Sequence, residues 1–200
     1  MSIISLAIGK RGESIKDTTI LSIEYYLIDY YFYEKNKYKE LINFISRIAF
    51  FKIPNQMFYT IEHSGFKVYC LSKDKLNACV ILNMETYPKR VLYNLLNQII
   101  EEFQEKFKTE WEKSNKDFEF KLDSLKQHIN NYQKPEQVDK ISNIKYKLDD
   151  TKEIIIKSID KILERGEKIE DLMQRSNDLS KSSIKFYKTT KKMNKCCIIS

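Results

Sequence analysis

Glycine, proline, histidine and tryptophan are scarce in this chain of 200 residues, with 4, 3, 2 and 1 copies respectively. So few glycines leave no Gly-rich loop of the kind that cradles phosphate groups. The two histidines, His63 and His128, are isolated, so no catalytic or metal-binding constellation can be assembled around them. We therefore predict a protein that is not an enzyme and that needs no cofactor or metal.

A long hydrophobic run is also missing. No apolar stretch approaches the roughly 20 residues that a spanning helix needs. The start, Met1-Ser2-Ile3-Ile4, lacks the basic flank and apolar run of a signal peptide. Since Ser2 follows Met1, myristoylation is not indicated. We expect reduced, cytosolic thiols at all four cysteines, which are Cys70, Cys79, Cys196 and Cys197.

Charge of one sign is not concentrated over most of the chain. The net charge of +7 comes from 35 basic and 28 acidic residues, which interleave as on an ordinary solvated surface. A nucleic-acid-binding protein usually gathers basic residues on one face, so we expect no nucleic-acid partner. The clearest basic run is near the C-terminus and contains Lys185, Lys188, Lys191, Lys192 and Lys195.

The first half of the sequence has the pattern of a mixed α/β domain. Alternating apolar residues predict a strand that ends at Gly9, and residues 18–28 predict a second strand. Apolar residues at helical spacing from Tyr38 to Ile48 and after Pro88 predict two helices. Between them, residues 57–62, 66–71 and 78–82 predict three strands separated by turn sequences. The order β-β-α-β-β-β-α predicts an antiparallel sheet covered by helices, an α+β fold.

Residues 118–129 allow a further short amphipathic helix, and Pro135 is the last proline. We place the domain boundary there, with residues 1–135 as the N-terminal domain. Beyond it, steps of three and four residues trace an apolar stripe with a 3.5-residue period, which is typical of a coiled coil. Its heptad positions are Ile141, Ile144, Leu148, Thr151, Ile155, Ser158, Ile162, Arg165, Ile169, Leu172, Ser176, Leu179, Ser183, Phe186, Thr190 and Met193.

This stripe predicts a helix of roughly 80 Å at 1.5 Å per residue, too long for the small N-terminal domain to bury alone. Arg165 is its one charged position, and a guanidinium in an apolar core must be paired with acceptors from partner helices. Such a residue fixes the register of a bundle. The small hydroxyl residues at other heptad positions leave room for larger partner side chains, which favours a hetero-bundle over a homodimer.

The chain ends Cys196-Cys197-Ile198-Ile199-Ser200, a C-a-a-X pattern whose final Ser favours a farnesyl group on Cys197. One prenyl chain gives only reversible membrane binding, so a second signal is needed. We expect it from an acyl chain such as palmitoyl on Cys196, or from the nearby lysines, each worth about 1 kcal/mol at an anionic surface.

These features resemble a known family, the prenylated longin-domain R-SNAREs, which are synaptobrevin homologues without a transmembrane span. The resemblance is carried by residues 149–152 (Asp-Asp-Thr-Lys), 163–172 (Leu-Glu-Arg-Gly-Glu-Lys-Ile-Glu-Asp-Leu) and 186–189 (Phe-Tyr-Lys-Thr), and by Cys196-Cys197. Residues 85–91 (Glu-Thr-Tyr-Pro-Lys-Arg-Val) look like the start of the last longin helix. The ending Ile-Ile-Ser departs from the commonest one in the family.

The resemblance implies a longin (profilin-like) domain followed by an R-SNARE coiled-coil motif at residues 138–195 and a lipidated tail at residues 196–200. Arg165 would then form the central ionic layer against three Gln residues of Q-SNARE helices, and zippering would draw two membranes together. The implied locations are the cytoplasm and the cytoplasmic face of Golgi, ER-derived vesicle, endosomal or vacuolar membranes. The other interpretation left open is a prenylated coiled-coil scaffold or tether without fusion activity.

Two regulatory hypotheses follow. The longin domain would cover the heptad segment in a closed, autoinhibited state, with Phe44 as the candidate contact, although a plain core role for Phe44 is also open. A phosphate on Ser176 or Ser183 would place about two negative charges among the heptad positions and oppose zippering.

Overall fold

The computed structural model describes residues 3–63, 65–83, 87–134, 153–156, 159, 163 and 167–196, with the backbone alone for 153–156 and 190–196. The N-terminal domain contains five strands and three α-helices. The strands are β1 Ile3–Lys10, β2 Thr19–Tyr25, β3 Phe58–His63, β4 Phe66–Lys73 and β5 Leu76–Asn83. The helices are α1 Lys35–Lys52, α2 Lys89–Phe107 and α3 Ser124–Asn131. The predicted order and the α+β class are confirmed.

The sheet is antiparallel from β2 to β3, in the order β2-β1-β5-β4-β3. Because side chains alternate along a strand, β5 contributes side chains to both faces of the sheet. Cys79 and Ile81 belong to the apolar cluster of α1, whereas Val80 and Leu82 belong to the cluster of α2. The sheet therefore separates two hydrophobic cores, one on each face.

The periodic helices follow the sequence closely. All seven apolar positions predicted for α2 are buried, and they are Val91, Leu92, Leu95, Leu96, Ile99, Ile100 and Phe103. The predicted turn between β4 and β5 contains Asp74 and Lys75 at φ 49° and 69°, as in a two-residue hairpin turn. Cys70 and Cys79 face each other across β4 and β5 as buried free thiols, and burial raises the pKa of Cys70.

The third helix is shorter than the predicted stretch. Phe118, which lies in a turn at φ 58°, and Phe120 precede it, and their amide groups donate to the carbonyl oxygens of Ile20 and Leu21 on β2. Half of the Phe118 side chain is exposed, whereas Leu125 and Ile129 in α3 are buried. The free edge of β2 supplies those hydrogen bonds, so Phe118 and Phe120 follow the strand before the helix begins.

The C-terminal part differs from the continuous helix that the heptads predict. Its described residues form a short strand, β6 Glu153–Ile156, and two helices, α4 Ile169–Arg175 and α5 Lys181–Cys196, with a non-helical link at residues 176–180. The buried apolar side chains of this segment pack on the N-terminal domain, which occupies the place that partner helices have in a coiled coil. The predicted boundary at Pro135 lies outside the described residues.

Candidate functional site: the docked C-terminal segment

β6 extends the sheet at the edge of β3. The two strands are parallel, with Phe58 opposite Glu153 and Ile61 opposite Ile156. An uncovered edge strand exposes a row of unpaired amide and carbonyl groups, and strand addition satisfies them. Residues of the predicted coiled coil, including heptad position Ile155, thus have strand backbone here.

The two C-terminal helices cover the outer side of α1. Phe44, which is 2% exposed, belongs to one buried cluster with Ile169, Met173, Leu179 and Tyr187 of the C-terminal segment. Burial of each such large apolar side chain contributes about 1.5–3 kcal/mol. Phe44 is therefore a core residue, and the same core contains side chains of the C-terminal segment.

The predicted heptad positions fall into three groups. Ile169, Leu179 and Ser183 are buried, and Leu172, Ser176 and Phe186 are half-buried. For Ile155, Thr190 and Met193 only the backbone is described, and the same holds for Cys196. Outside the described residues lie Ile141, Ile144, Leu148, Thr151, Ser158, Ile162, Arg165 and Cys197.

Three buried residues of the segment were not predicted. Ile159, Met173 and Tyr187 are 1%, 0% and 4% exposed, and each directly follows a heptad position. The buried surface of the segment thus includes residues next to the heptad positions as well as some of the heptad positions themselves. The apolar pairs Leu172-Met173 and Phe186-Tyr187 were the available signal, because a strict heptad needs only the first member of each.

Arg47 on α1 joins the segment to the domain. Its Nε and Nη2 donate to the two carboxylate oxygens of Asp178 at 2.7 and 2.8 Å. Nη2 also donates to Asp117 at 2.7 Å, and Nη1 donates to the carbonyl oxygen of Thr18. Arg47 and Asp178 each have side chains only 9% exposed. Burial alone would lower the pKa of Arg47, but the hydrogen bonds to Asp178 and Asp117 raise it above its usual value, so the cation is firmly held.

A second polar link forms at the start of α5. The Glu40 carboxylate accepts a hydrogen bond of 2.7 Å from the amide of Ser180, and the amide of Ser183 donates to the Ser180 hydroxyl. A carboxylate at a helix N-terminus is favoured by the orphan amides and the helix dipole. Burial opposes ionisation of Glu40, but hydrogen bonds from the Ser180 amide and from the side chains of Ser183 and Ser180 outweigh it and lower its pKa.

A buried polar contact lies farther along α5. The Nε2 atom of His63, at the end of β3, is 2.5 Å from the Tyr187 hydroxyl, and the two rings stack with their centroids 5.8 Å apart. Nearer the start of α1, the Tyr38 ring contacts Phe186 edge-on at 5.2 Å. Burial raises the pKa of Tyr38 to about 12, so this ring stays neutral. The segment thus has contacts along most of the length of α1.

The described part of the chain holds no group of side chains suited to a metal ion. Among the helices whose residues are described, none is both long and apolar enough to span a bilayer. The geometry is that of a helical segment docked on a domain, with polar links at Arg47, Glu40 and His63.

Comparison with known proteins agrees with this arrangement. The Longin family model, described as a regulated-SNARE-like domain, matches residues 27–126, and the synaptobrevin model matches residues 140–199. The VAMP-like protein YKT61 of Arabidopsis thaliana is 33% identical over 199 residues, which is all of both chains. A synaptobrevin homolog, ykt6 of Schizosaccharomyces pombe, is 35% identical over 86% of this chain and 87% of its own.

A putative synaptobrevin homolog of Dictyostelium discoideum, YKT6, is 32% identical over 89% of this chain and 90% of its own. The two family models occupy the two parts that the structure separates, the domain and the docked segment. Members of this family are fusion proteins rather than enzymes. The chain belongs to the longin-domain synaptobrevin family and is an R-SNARE of vesicle fusion.

Proposed function

We propose that this R-SNARE drives fusion by zippering residues 138–195 with three Q-SNARE helices, and that its longin domain holds it closed until partners arrive. The observation that carries the proposal is the burial of heptad positions Ile169, Leu179 and Ser183 against the chain's own N-terminal domain. A four-helix bundle needs these same side chains for its interior. Docking on the domain and zippering therefore compete for one surface.

The backbone of β6 is a second reason why docking and zippering exclude each other. Residues 153–156 rise about 3.3 Å each in the docked strand and would rise about 1.5 Å each in a helix. No conformation satisfies both partners, so these residues must leave β3 before the heptads can form a continuous helix. The closed state is then a two-state switch, and any ligand that prefers the helical form shifts its population.

In the zippered form, Arg165 would be the central ionic layer and would face one Gln from each partner helix. Its guanidinium would fix the register, since any slip would leave the charge without acceptors. The membrane connection would come from farnesyl on Cys197 and a second lipid, such as palmitoyl, on Cys196. The proposed sites of action are the cytoplasmic faces of Golgi, ER-derived vesicle, endosomal or vacuolar membranes.

The test is assembly of residues 138–195 with panels of soluble Q-SNARE helices, followed by circular dichroism and thermal melting, beside Arg165→Ala. We expect helicity and a melting transition only with sets that supply three Gln-bearing helices. Arg165→Ala should relax that partner choice. No gain of helicity with any set would overturn the proposal and favour a lipid-anchored scaffold.

A further inference from the structure

The loop between β2 and α1 exposes an unusual amount of apolar surface. Of the five large hydrophobic side chains that are exposed among the described residues, four lie in residues 28–33, here called the aromatic loop. Ile28, Tyr31, Phe32 and Tyr33 are 67%, 69%, 91% and 68% exposed. Together they present on the order of 500 Å² of apolar surface, a size that marks an interaction site.

The rings of Tyr31, Phe32 and Tyr33 project into solvent. The Tyr31 and Tyr33 rings stack on each other at 5.6 Å and 15°, and Phe32 between them is almost fully exposed. A protein partner would have to supply a matching pocket, whereas a bilayer interface accepts projecting aromatic rings without one. Tyr and Phe rings together with lysines are the usual composition of segments that lie in the interface.

Lysines surround the loop on three helices. Ile28 of the loop lines a groove of about 610 Å³ together with Lys35 and Lys39 of α1 and Lys126 of α3. Lys37 follows on α1 and lies over the ring of Phe186, which Lys185 and Lys188 flank on α5. The acidic residues of the loop and its flanks are Glu24, Asp29 and Glu34. The excess of positive charge complements an anionic lipid surface, at which each lysine is attracted individually.

The direction of α5 brings the C-terminus to the same end. Asp178 contacts Arg47, Ser180 contacts Glu40, and the Phe186 ring contacts Tyr38, so α5 runs antiparallel to α1. α1 begins at Lys35, directly after the loop, and α5 continues to Cys196, roughly 15 Å beyond Phe186. The aromatic loop and the proposed lipid site therefore lie at one end of the closed molecule.

We propose that the aromatic loop is a membrane-docking element that inserts into the interface of an anionic bilayer. Its insertion gives the closed protein a second membrane contact, which a single prenyl chain needs for lasting attachment. The inference depends on the proposed lipid anchor only for this orientation. The contact between loop and bilayer requires no lipid on the protein.

The experiment uses the full chain without lipid, with Cys196 and Cys197 both replaced by Ser, and phosphatidylcholine vesicles with or without phosphatidylserine. The native chain has one tryptophan, Trp111, which is 3% exposed, so Phe32→Trp adds a second reporter at the loop. We expect vesicles with phosphatidylserine to shift the added emission to the blue. Phe32→Ser should lower the vesicle partition coefficient about tenfold, and added salt should weaken binding.

Phe118→Ser is the matched control. Phe118 is the fifth exposed hydrophobic residue, and it contacts the start of β2, while the loop follows the end of that strand, roughly 20 Å away. The proposal would be overturned if vesicles left the emission of the Phe32→Trp variant unchanged. It would also be overturned if Phe118→Ser lost as much partitioning as Phe32→Ser. If the protein dimerised without vesicles and Phe32→Ser abolished that dimer, the loop would be a contact between two copies, and the proposal would be overturned too. Neither lipidation nor Q-SNAREs enter the experiment, so its outcome is independent of the zippering test.

Discussion

Replacing Asp178 by Asn removes the charge by which the C-terminal segment is joined to Arg47, and it leaves the pair of Arg47 with Asp117 intact. Asp178 accepts two hydrogen bonds from the guanidinium at 2.7 and 2.8 Å and is 9% exposed. Removing one partner of a buried pair costs about 3–5 kcal/mol. Asn keeps one acceptor and Asp117 still balances Arg47, so we expect about 2 kcal/mol.

That free energy raises the ratio of open to closed molecules roughly 30-fold, since 1.4 kcal/mol is a factor of ten. Hydrogen–deuterium exchange measures the change directly, because amides of the docked elements exchange through the open state. We expect protection in β6, α4 and α5 to fall by that factor in Asp178→Asn. Protection in α2, which packs on the opposite face of the sheet, should stay the same.

Asp171→Asn is the control, because Asp171 is an exposed acid on α4 and the substitution changes charge identically. Equal protection of the docked elements in Asp178→Asn and the native chain would refute a role for the Arg47 pair in holding the segment closed. An equal loss in Asp171→Asn would refute it as well, since net charge alone would then explain the opening.

Three further outcomes follow from the docked segment. Phe44→Glu puts a carboxylate in a position that is 2% exposed, and should expand the molecule in small-angle scattering; a folded but unexpanded variant would exclude Phe44 as a contact of the closed state. Ser183→Asp adds a carboxylate to a fully buried position beside Glu40, and should weaken both docking and Q-SNARE assembly; native-like exchange and assembly would contradict the charge-switch hypothesis. Because docking lowers the pKa of Glu40 below its usual 4.5, its stabilisation is complete above that value and is lost as pH falls through the lowered one; Glu40→Gln should reduce the acid-induced rise in exchange of α5, and an unchanged rise would contradict this.

Local patterns were sufficient for the five strands and the first two helices of the N-terminal domain. Apolar spacing predicted α1 and α2, and turn sequences such as that at Asp74 and Lys75 separated the strands. Where these helices form depends on the short-range spacing of apolar residues, which a single sequence contains. The α+β class followed because consecutive strands with short connections pair antiparallel.

The docked conformation needed more than the heptads. Ile154 and Ile156 interrupt the polar positions between heptad residues, and with Ile155 they form a β-branched run that favours a strand. This signal is present in the sequence. It predicts β6 only once β3 is known to be an edge strand that another strand can join. Arg47 carried no signal, because Asp117 and Asp178 lie 70 and 131 residues away along the chain. Long-range ion pairs depend on the packing of α1, which the sequence pattern does not specify.

Competition between docking and zippering is tested most directly by assembly rates with a matching set of three soluble Q-SNARE helices. The comparison needs the native full chain, full-length Asp178→Asn and residues 138–195 alone, at equal concentration. We expect the isolated segment to assemble fastest, the native chain slowest, and Asp178→Asn roughly 30-fold faster than the native chain where opening limits the rate. Equal rates for all three would contradict a closed state that hides the heptads from their partners.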